Sequence, residues 1–428
     1  MIRQTTSRRA VSFALALGVI LVGCDASLPS QTPALTPTAA PQTPGASRPP
    51  ATPTKAPRPP AEIYAEIRGA VEAIRGLQPT AAVDPVTIDE TQLRANLEDE
   101  FDAAQTPAQL KDTEDLLIAL GLLPKGSSLR AITLDFQSGQ VAGYYSPEKD
   151  ELFVVNRTGS IGPIDKATYA HEFTHQLQDQ HFDLEALGLS ATDQSDRSLG
   201  RLALVEGDAT SAQSSWMTTN LDSKELGELF AAALDPESLA ALQRAPRYLR
   251  DTAIFPYQDG LGFVTRLLAN GGYAAVDAAF ADPPDSTEQV LHPDKYLQRE
   301  RPIDVKLAEP LFDALPAGWS KVGADTLGEL LLRIWLNEGG IGTAASSTAT
   351  AGWGGDRLAL LRGPGGAVSV FLLTGWDSAA DAQEFAAAAT TAVAKLAPGG
   401  RVVHPTNSTT VWIAIGDAAI SIDIPILV

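Results

Sequence analysis

Residues 171–181 read HEFTHQLQDQH, and these residue types at this spacing could do metal chemistry. His171 and His175 are four positions apart. On a helix both imidazoles then project from one face, neighbours across a single turn. Imidazole nitrogens bind divalent cations such as Zn2+. Glu172, next to His171, could act as a general base on a water activated there. The chain has five histidines in 428 residues, so His-Glu-x-x-His arises by chance in under ~1% of such chains. Phe173 and Leu177 add an apolar stripe, the setting of a buried helix.

Two histidines make half of a tetrahedral site, so a third protein ligand is needed. One candidate is His181, spaced as in His-x-x-Gly-x-x-His. That spacing works by a sharp helix exit at the Gly, and here the position is Gln178. If the helix runs on, His181 is turned roughly 240° away from His175, at about 100° per residue. The stronger candidate is Glu206, in RLALVEGDATSAQSSWM. This segment reads as a helix with Leu202, Val205, Ala209 and Ala212 on its apolar side. A carboxylate among such neighbours needs a partner, and Gly207 and Ala209 permit close approach of another helix. Asp208 or Thr210 could orient a ligand. Two further residues could stabilise charge developing on a carbonyl oxygen: Tyr257 in FPYQDG and His292 in STEQVLHPDKY.

The His171, His175, Glu206 pattern resembles the gluzincins, the thermolysin-like clan of zinc metallopeptidases. In that clan a Glu from the following helix completes a His₂Glu site. HEFTHQLQDQHF, LVEGDAT, FPYQDGLGFV and STEQVLHPDKY, in this order, resemble a group of secreted, metallopeptidase-like lipoproteins of bacteria and archaea over about residues 61–340. The resemblance implies Zn2+ on His171, His175 and Glu206, with Glu172 as base and a peptide or protein as substrate. It also implies an upstream edge strand that pairs with extended substrate, either QVAGYY or ELFVVN.

The elements that must position these residues follow from periodicity. Ile63, Ile67, Val71 and Ile74 predict a helix. TQLRANLEDEFDAA and PAQLKDTEDLLIALGLL predict two more, the second with Pro107 in its first turn. QVAGYY-SPEKD-ELFVVN reads as a β-hairpin. The helix carrying His171 follows, with Asp165 as its N-cap. Further helices are predicted around 200–217, 223–233, 258–270 and 324–337. Beyond them DRLALLR-GPGG-AVSVFLLTGW and RVVHPTNSTTVWIAIGDAAISIDI read as hairpins flanking a helix. They form a ββαββ unit over 345–428 with Trp353, Trp376 and Trp412 as packing residues. The expected fold class is therefore α+β: a mainly helical, zincin-like catalytic domain (61–340) with a small sheet edge, plus that unit as an accessory domain.

The N-terminus reads differently. Arg3, Arg8 and Arg9 precede the apolar run AVSFALALGVILV and then LVGC, residues 21–24. This resembles a bacterial lipoprotein signal peptide (1–23), which implies a diacylglyceryl group on Cys24 and anchoring on the extracytoplasmic side of a membrane. Cys24 is the only cysteine, so it has no disulfide partner within the chain. Residues 24–60, rich in Pro, Thr and Ala, read as a tether. Net charge is −20, and −23 without residues 1–23, which argues against nucleic acid as a partner.

These observations point to an exported, lipid-anchored zinc peptidase. Two alternatives stand beside it: a metzincin-like site using His181, and a non-catalytic surface lipoprotein whose metal site is structural or vestigial.

Overall fold

The computed structural model describes residues 58–416 apart from 158 and 235; the expected signal peptide, Cys24 and the expected tether up to residue 57 lie outside them. In chain order the elements are α1 (Pro60–Arg75), β1 (Pro85–Ile88), α2 (Glu90–Ala104), α3 (Pro107–Ala119), α4 (Leu129–Gln140), β2 (Gly143–Ser146), β3 (Glu151–Val155), α5 (Pro163–Phe182) and α6 (Ser195–Asn220). There follow α7 (Ser223–Ala233), α8 (Pro236–Arg244), α9 (Arg247–Gly271), α10 (Tyr273–Ala281), α11 (Thr287–Leu291), α12 (Pro293–Leu297) and α13 (Glu309–Asp313). The last group is β4 (Ser320–Asp325), α14 (Gly328–Glu338), α15 (Thr343–Thr350), β5 (Trp353–Arg362), β6 (Val368–Trp376), α16 (Ala379–Leu396), β7 (Arg401–Val403) and β8 (Thr410–Gly416). This is an α+β fold, about 60% helix and 14% strand, with two small sheets.

Local signals set most helix starts. Asp89 and Thr106 each form a capping box with the glutamine three residues on, Gln92 and Gln109, which satisfies amides that the first turn leaves open. Helix α1 buries Tyr64, Ile67, Val71 and Arg75. Its apolar stripe therefore ends on an arginine. The helix closes at Gly76 in the left-handed region, φ 75°, where glycine carries no Cβ penalty.

The first sheet has the order β1-β3-β2, with β2 antiparallel and β1 parallel to β3. The hairpin is where periodicity put it. β1 was not anticipated, because four residues with one buried side chain carry no readable alternation. The second sheet has the order β4-β5-β6-β8-β7, all antiparallel. Its side chains alternate between faces, as strand geometry requires. Leu358, Leu360, Val370 and Leu372 enter the largest core, while Ala359, Leu361, Phe371 and Trp412 pack on Leu311 and Trp319.

Two cores hold the helices that bear the candidate ligands. The largest joins Leu204 and Val205 of α6, Phe263 of α9 and Trp335 of α14 to the second sheet and α16. The other joins α1, β2, β3 and α5 through Val71, Tyr145, Val154, Tyr169 and Phe173. The segment expected as a separate unit from 345 shares the largest core with the helices. Its sheet also takes its first strand, β4, from Ser320.

Helices α6 and α9 touch backbone to backbone. A Cβ on Gly207 would lie 2.2 Å from the Gly260 carbonyl oxygen, and one on Gly260 would lie 2.2 Å from that of Ala203. Only glycine allows this approach. It brings α9, with Tyr257, alongside the turn of α6 that carries Glu206.

Candidate metal centre

The His-Glu-x-x-His segment lies in α5, whose N-cap is Gly162, with Pro163 at the first helical position. Asp165 is three residues inside, where its carboxylate accepts from the Gly162 amide at 2.7 Å. It caps from the third position rather than from the N-cap expected of it, because Pro163 already starts the helix. The helix continues unbroken through Gln178 to Phe182 and ends at Asp183, φ 55°. His181 is therefore still helical. It is exposed, and its Nε2 donates to the Gln78 carbonyl at 2.8 Å.

Three donor atoms from two helices converge. Nε2 of His171 lies 3.1 Å from Oε2 of Glu206 and 3.1 Å from Nε2 of His175. His175 Nε2 is 3.3 Å from the same carboxylate oxygen. Ligands about 2.0–2.1 Å from a tetrahedral zinc stand roughly 3.3 Å apart, so this triangle fits such an ion. The rings of His171 and His175 meet at 84°, with both Nε2 atoms aimed at the same point. His171, His175 and Glu206 are all buried, 1–7% exposed.

The electrostatics favour a cation. Burial alone would depress His175, but the charge of Glu206, its hydrogen bond and the nearby Glu172 raise it to about 9. Burial alone would raise Glu206, but the two imidazoles hold it down at about 2. The centre thus stabilises positive charge against a buried carboxylate, which is what a divalent ion supplies.

Glu172 is 1% exposed, and burial raises its carboxyl above the ordinary range, opposed by the two histidines. The Tyr145 amide is close enough to lower it slightly. Yet no described group meets either carboxylate oxygen with hydrogen-bond geometry. A buried carboxylate with both oxygens open is unusual unless something absent from the protein chain occupies that space.

Strand β2 passes beside it. Val155 donates to the Ala142 carbonyl at 3.0 Å. With the β2–β3 register, Gly143 and Tyr145 then direct their backbone groups away from β3. A Cβ on Gly143 would lie 2.7 Å from Thr168 and 3.6 Å from Glu172 of α5. Of the two strands expected as an edge, ELFVVN is central and only β2 is at an edge. All four of its residues are buried.

Tyr257 is 2% exposed, and its ring lies over that of His171, centroids 6.0 Å apart and 27° between planes. It is inside α9, not before it. From sequence Tyr257 reads as preceding a helix over 258–270, but α9 begins at Arg247 and carries Pro256 within it. His292 pairs elsewhere: its Nε2 is 3.0 Å from Glu329 of α14, which raises its basicity. Its hydrogen-bond partner is therefore a structural carboxylate, and the structure does not join it to the metal centre. Glu288, Glu300 and Asp377 also cluster, but the Lys295 ammonium is within 2.7 Å of each and already occupies the place between them.

One residue of this centre was not singled out as a partner from sequence. Gln178 is fully buried, and its Oε1 is 2.8 Å from Nδ1 of His175. The available signal was spacing: three positions after His175 puts it beside that ring on the same helix face.

The family described as "Domain of unknown function (DUF8575)" matches residues 315–423. That span holds β4 to β8, and α5 and α6 lie outside it. No curated protein and no solved structure matches the chain.

Proposed function

We propose that the protein is a zinc-dependent peptidase of the gluzincin type, acting outside the cytoplasm. The observation that carries this reading is the combination of a three-atom His171, His175, Glu206 triangle with a buried Glu172 carboxylate, on the helix of the two histidines, that no described group meets with full hydrogen-bond geometry. A structural site needs the first and has no use for the second. When bound, the ion supplies Lewis acidity, polarising a substrate carbonyl and lowering the pKa of water. Glu172 accepts a proton from the attacking water and returns it to the leaving amine; its open oxygens and raised basicity suit that role. The outward backbone groups of Gly143 and the Tyr145 carbonyl are the ones an extended peptide would pair with. Tyr257 supports the His171 ring.

The low exposure of the centre favours a second reading, a structural metal site. Glu172→Gln separates the two. On the peptidase reading it keeps its zinc, measured by mass spectrometry on protein purified without chelator, and loses about 10²-fold or more of peptide-library hydrolysis. Wild-type protein that holds zinc but cleaves nothing would leave the structural reading in place.

Lipid anchoring through Cys24 belongs to the same proposal. No described helix is long and apolar enough to cross a membrane. Cys24→Ser should leave the detergent phase in a partition assay, and retention there would overturn the anchor.

A further inference from the structure

A chain of hydrogen bonds runs from His175 on α5 through α6 to α1 and α10. Gln178 Oε1 faces His175 Nδ1 at 2.8 Å. The Gln178 amide nitrogen donates to the Val205 carbonyl at 3.0 Å and to the Asp208 carboxylate at 2.9 Å. Arg75 of α1 donates to that carboxylate at 2.9 Å and to Asp277 of α10 at 2.6 Å. The Arg75 guanidinium lies 4.7 Å from the centre of the Tyr273 ring.

The amide can point only one way. Both of its N–H groups face acceptors, a carbonyl and a carboxylate. Flipping it would set its oxygen against both and its N–H groups against the ring. Oε1 is therefore the atom at His175, and an oxygen accepts. Nδ1 must then carry the hydrogen, which leaves Nε2 as the ligating nitrogen, aimed at Glu206 and His171. A carboxylate in place of Gln178 could also accept from the ring, but it would stand against Asp208. The amide satisfies both neighbours at once. His171 is held otherwise: its Nδ1 has no hydrogen-bond partner among the described residues, and the Tyr257 ring lies along its face.

We infer that Gln178, locked by Asp208 and Arg75, is a positioning residue for the metal centre, holding His175 with Nε2 turned to the ion. This rests on the proposed metal site. A ligand held by a fixed outer partner binds its metal more tightly, typically by 10–100-fold.

The test is zinc affinity of the full chain, by competition with a chromophoric chelator, with thermal unfolding as a fold control. Gln178→Ala should bind zinc about 10–100-fold more weakly. Gln178→Glu alone should also be weak, since it opposes Asp208. Combining Gln178→Glu with Asp208→Asn restores an acceptor at His175 and a donor behind it, leaving only the Val205 carbonyl unmatched, and affinity should recover by at least about tenfold over Gln178→Glu alone. Wild-type protein that binds no zinc overturns the metal reading and this inference with it. If wild type binds and folded Gln178→Ala matches it, the metal reading stands and the positioning role falls. If Gln178→Ala does not fold, the Glu substitution decides: the paired change must exceed the single change by at least about tenfold, and equal affinities overturn the proposal.

Discussion

Glu172 on α5 and Asp356 on β5 are both withdrawn from water, 1% and 3% exposed, yet the fold treats them in opposite ways. Asp356 is fully engaged. One oxygen accepts from the Leu327 amide at 2.9 Å; the other accepts from the Gly328 amide at 2.8 Å and from Trp353 Nε1 at 3.0 Å. These bonds tie the second sheet to the first turn of α14. Burial raises Asp356 to about 6 against the pull of those donors. Glu172 is raised too, but among the described residues only the Tyr145 amide comes near its oxygens, and none meets them with full hydrogen-bond geometry. A buried carboxylate that holds structure together uses its lone pairs; one kept for chemistry leaves them available. Glu100 tests that contrast. It too has no hydrogen-bonded oxygen, but the Lys149 ammonium is 3.8 Å away, and no ligand triangle adjoins it.

The largest effect that bears on this contrast concerns the second sheet itself. Ending the chain after residue 340 removes Leu358, Leu360, Val370, Leu372 and Phe385 from the core that also holds Leu204 and Phe263. At ~1.5–3 kcal/mol per buried side chain the loss is roughly 10 kcal/mol, comparable to the whole stability of a domain. Residues 58–340 alone should therefore show no cooperative thermal transition and no zinc binding. A folded, zinc-binding fragment would mean that the sheet is an appendage and that Asp356 holds nothing essential.

Next in size is the pair of carboxylates. Asp356→Ala leaves three buried donors unpaired and should cost about 4 kcal/mol in chemical denaturation. Glu172→Gln removes an unpaired buried charge and should leave metal-free stability unchanged, or raise it by about 1 kcal/mol. Equal losses at the two sites would erase the distinction between them.

The smallest effect is at Glu100, whose carboxyl burial raises from 4.5 to about 7. Below pH 4.5 it is protonated folded or unfolded. Between 4.5 and 7 the folded state keeps a proton that the unfolded state releases, so stability falls as pH rises, and above 7 the full penalty applies. Glu100→Gln should thus be more stable than wild type by about 3 kcal/mol at pH 8, with the gap closing near pH 5. A gap that did not change with pH would show that Glu100 is ionised throughout and well solvated, unlike Glu172.

Much of the candidate site was legible because its signals are local. The four-residue spacing of His171 and His175, the non-glycine at Gln178 and the apolar setting of Glu206 are each read within one or two helical turns. They led to the same three residues that the structure brings within 3.3 Å. The hairpin and most helices were legible for the same reason. The pairing of His292 was not legible, because a histidine before Pro293 gives no hint of Glu329, 37 positions on. β4 was missed because SKVGAD has no buried side chain to betray a strand; it is a strand by virtue of pairing with β5.

By itself the sequence determined the periodic elements, the metal-capable residue set and the condition, a helix continuing through Gln178, under which His181 turns away. These depend on side-chain spacing along one helix, which 3.6 residues per turn dictates without outside help. Only the tertiary structure decided that Gln178, Asp208 and Arg75 support His175, that β2 rather than β3 is the edge beside Glu172, and that the second sheet shares a core with α6 and α9. Beyond the local Gln178–His175 pair these join distant segments: Gln178 meets Val205 27 positions on, and Arg75 meets Asp208 133 positions on. Such contacts are chosen by the packing of whole elements, which brings distant groups to hydrogen-bonding distance while leaving no record in local spacing.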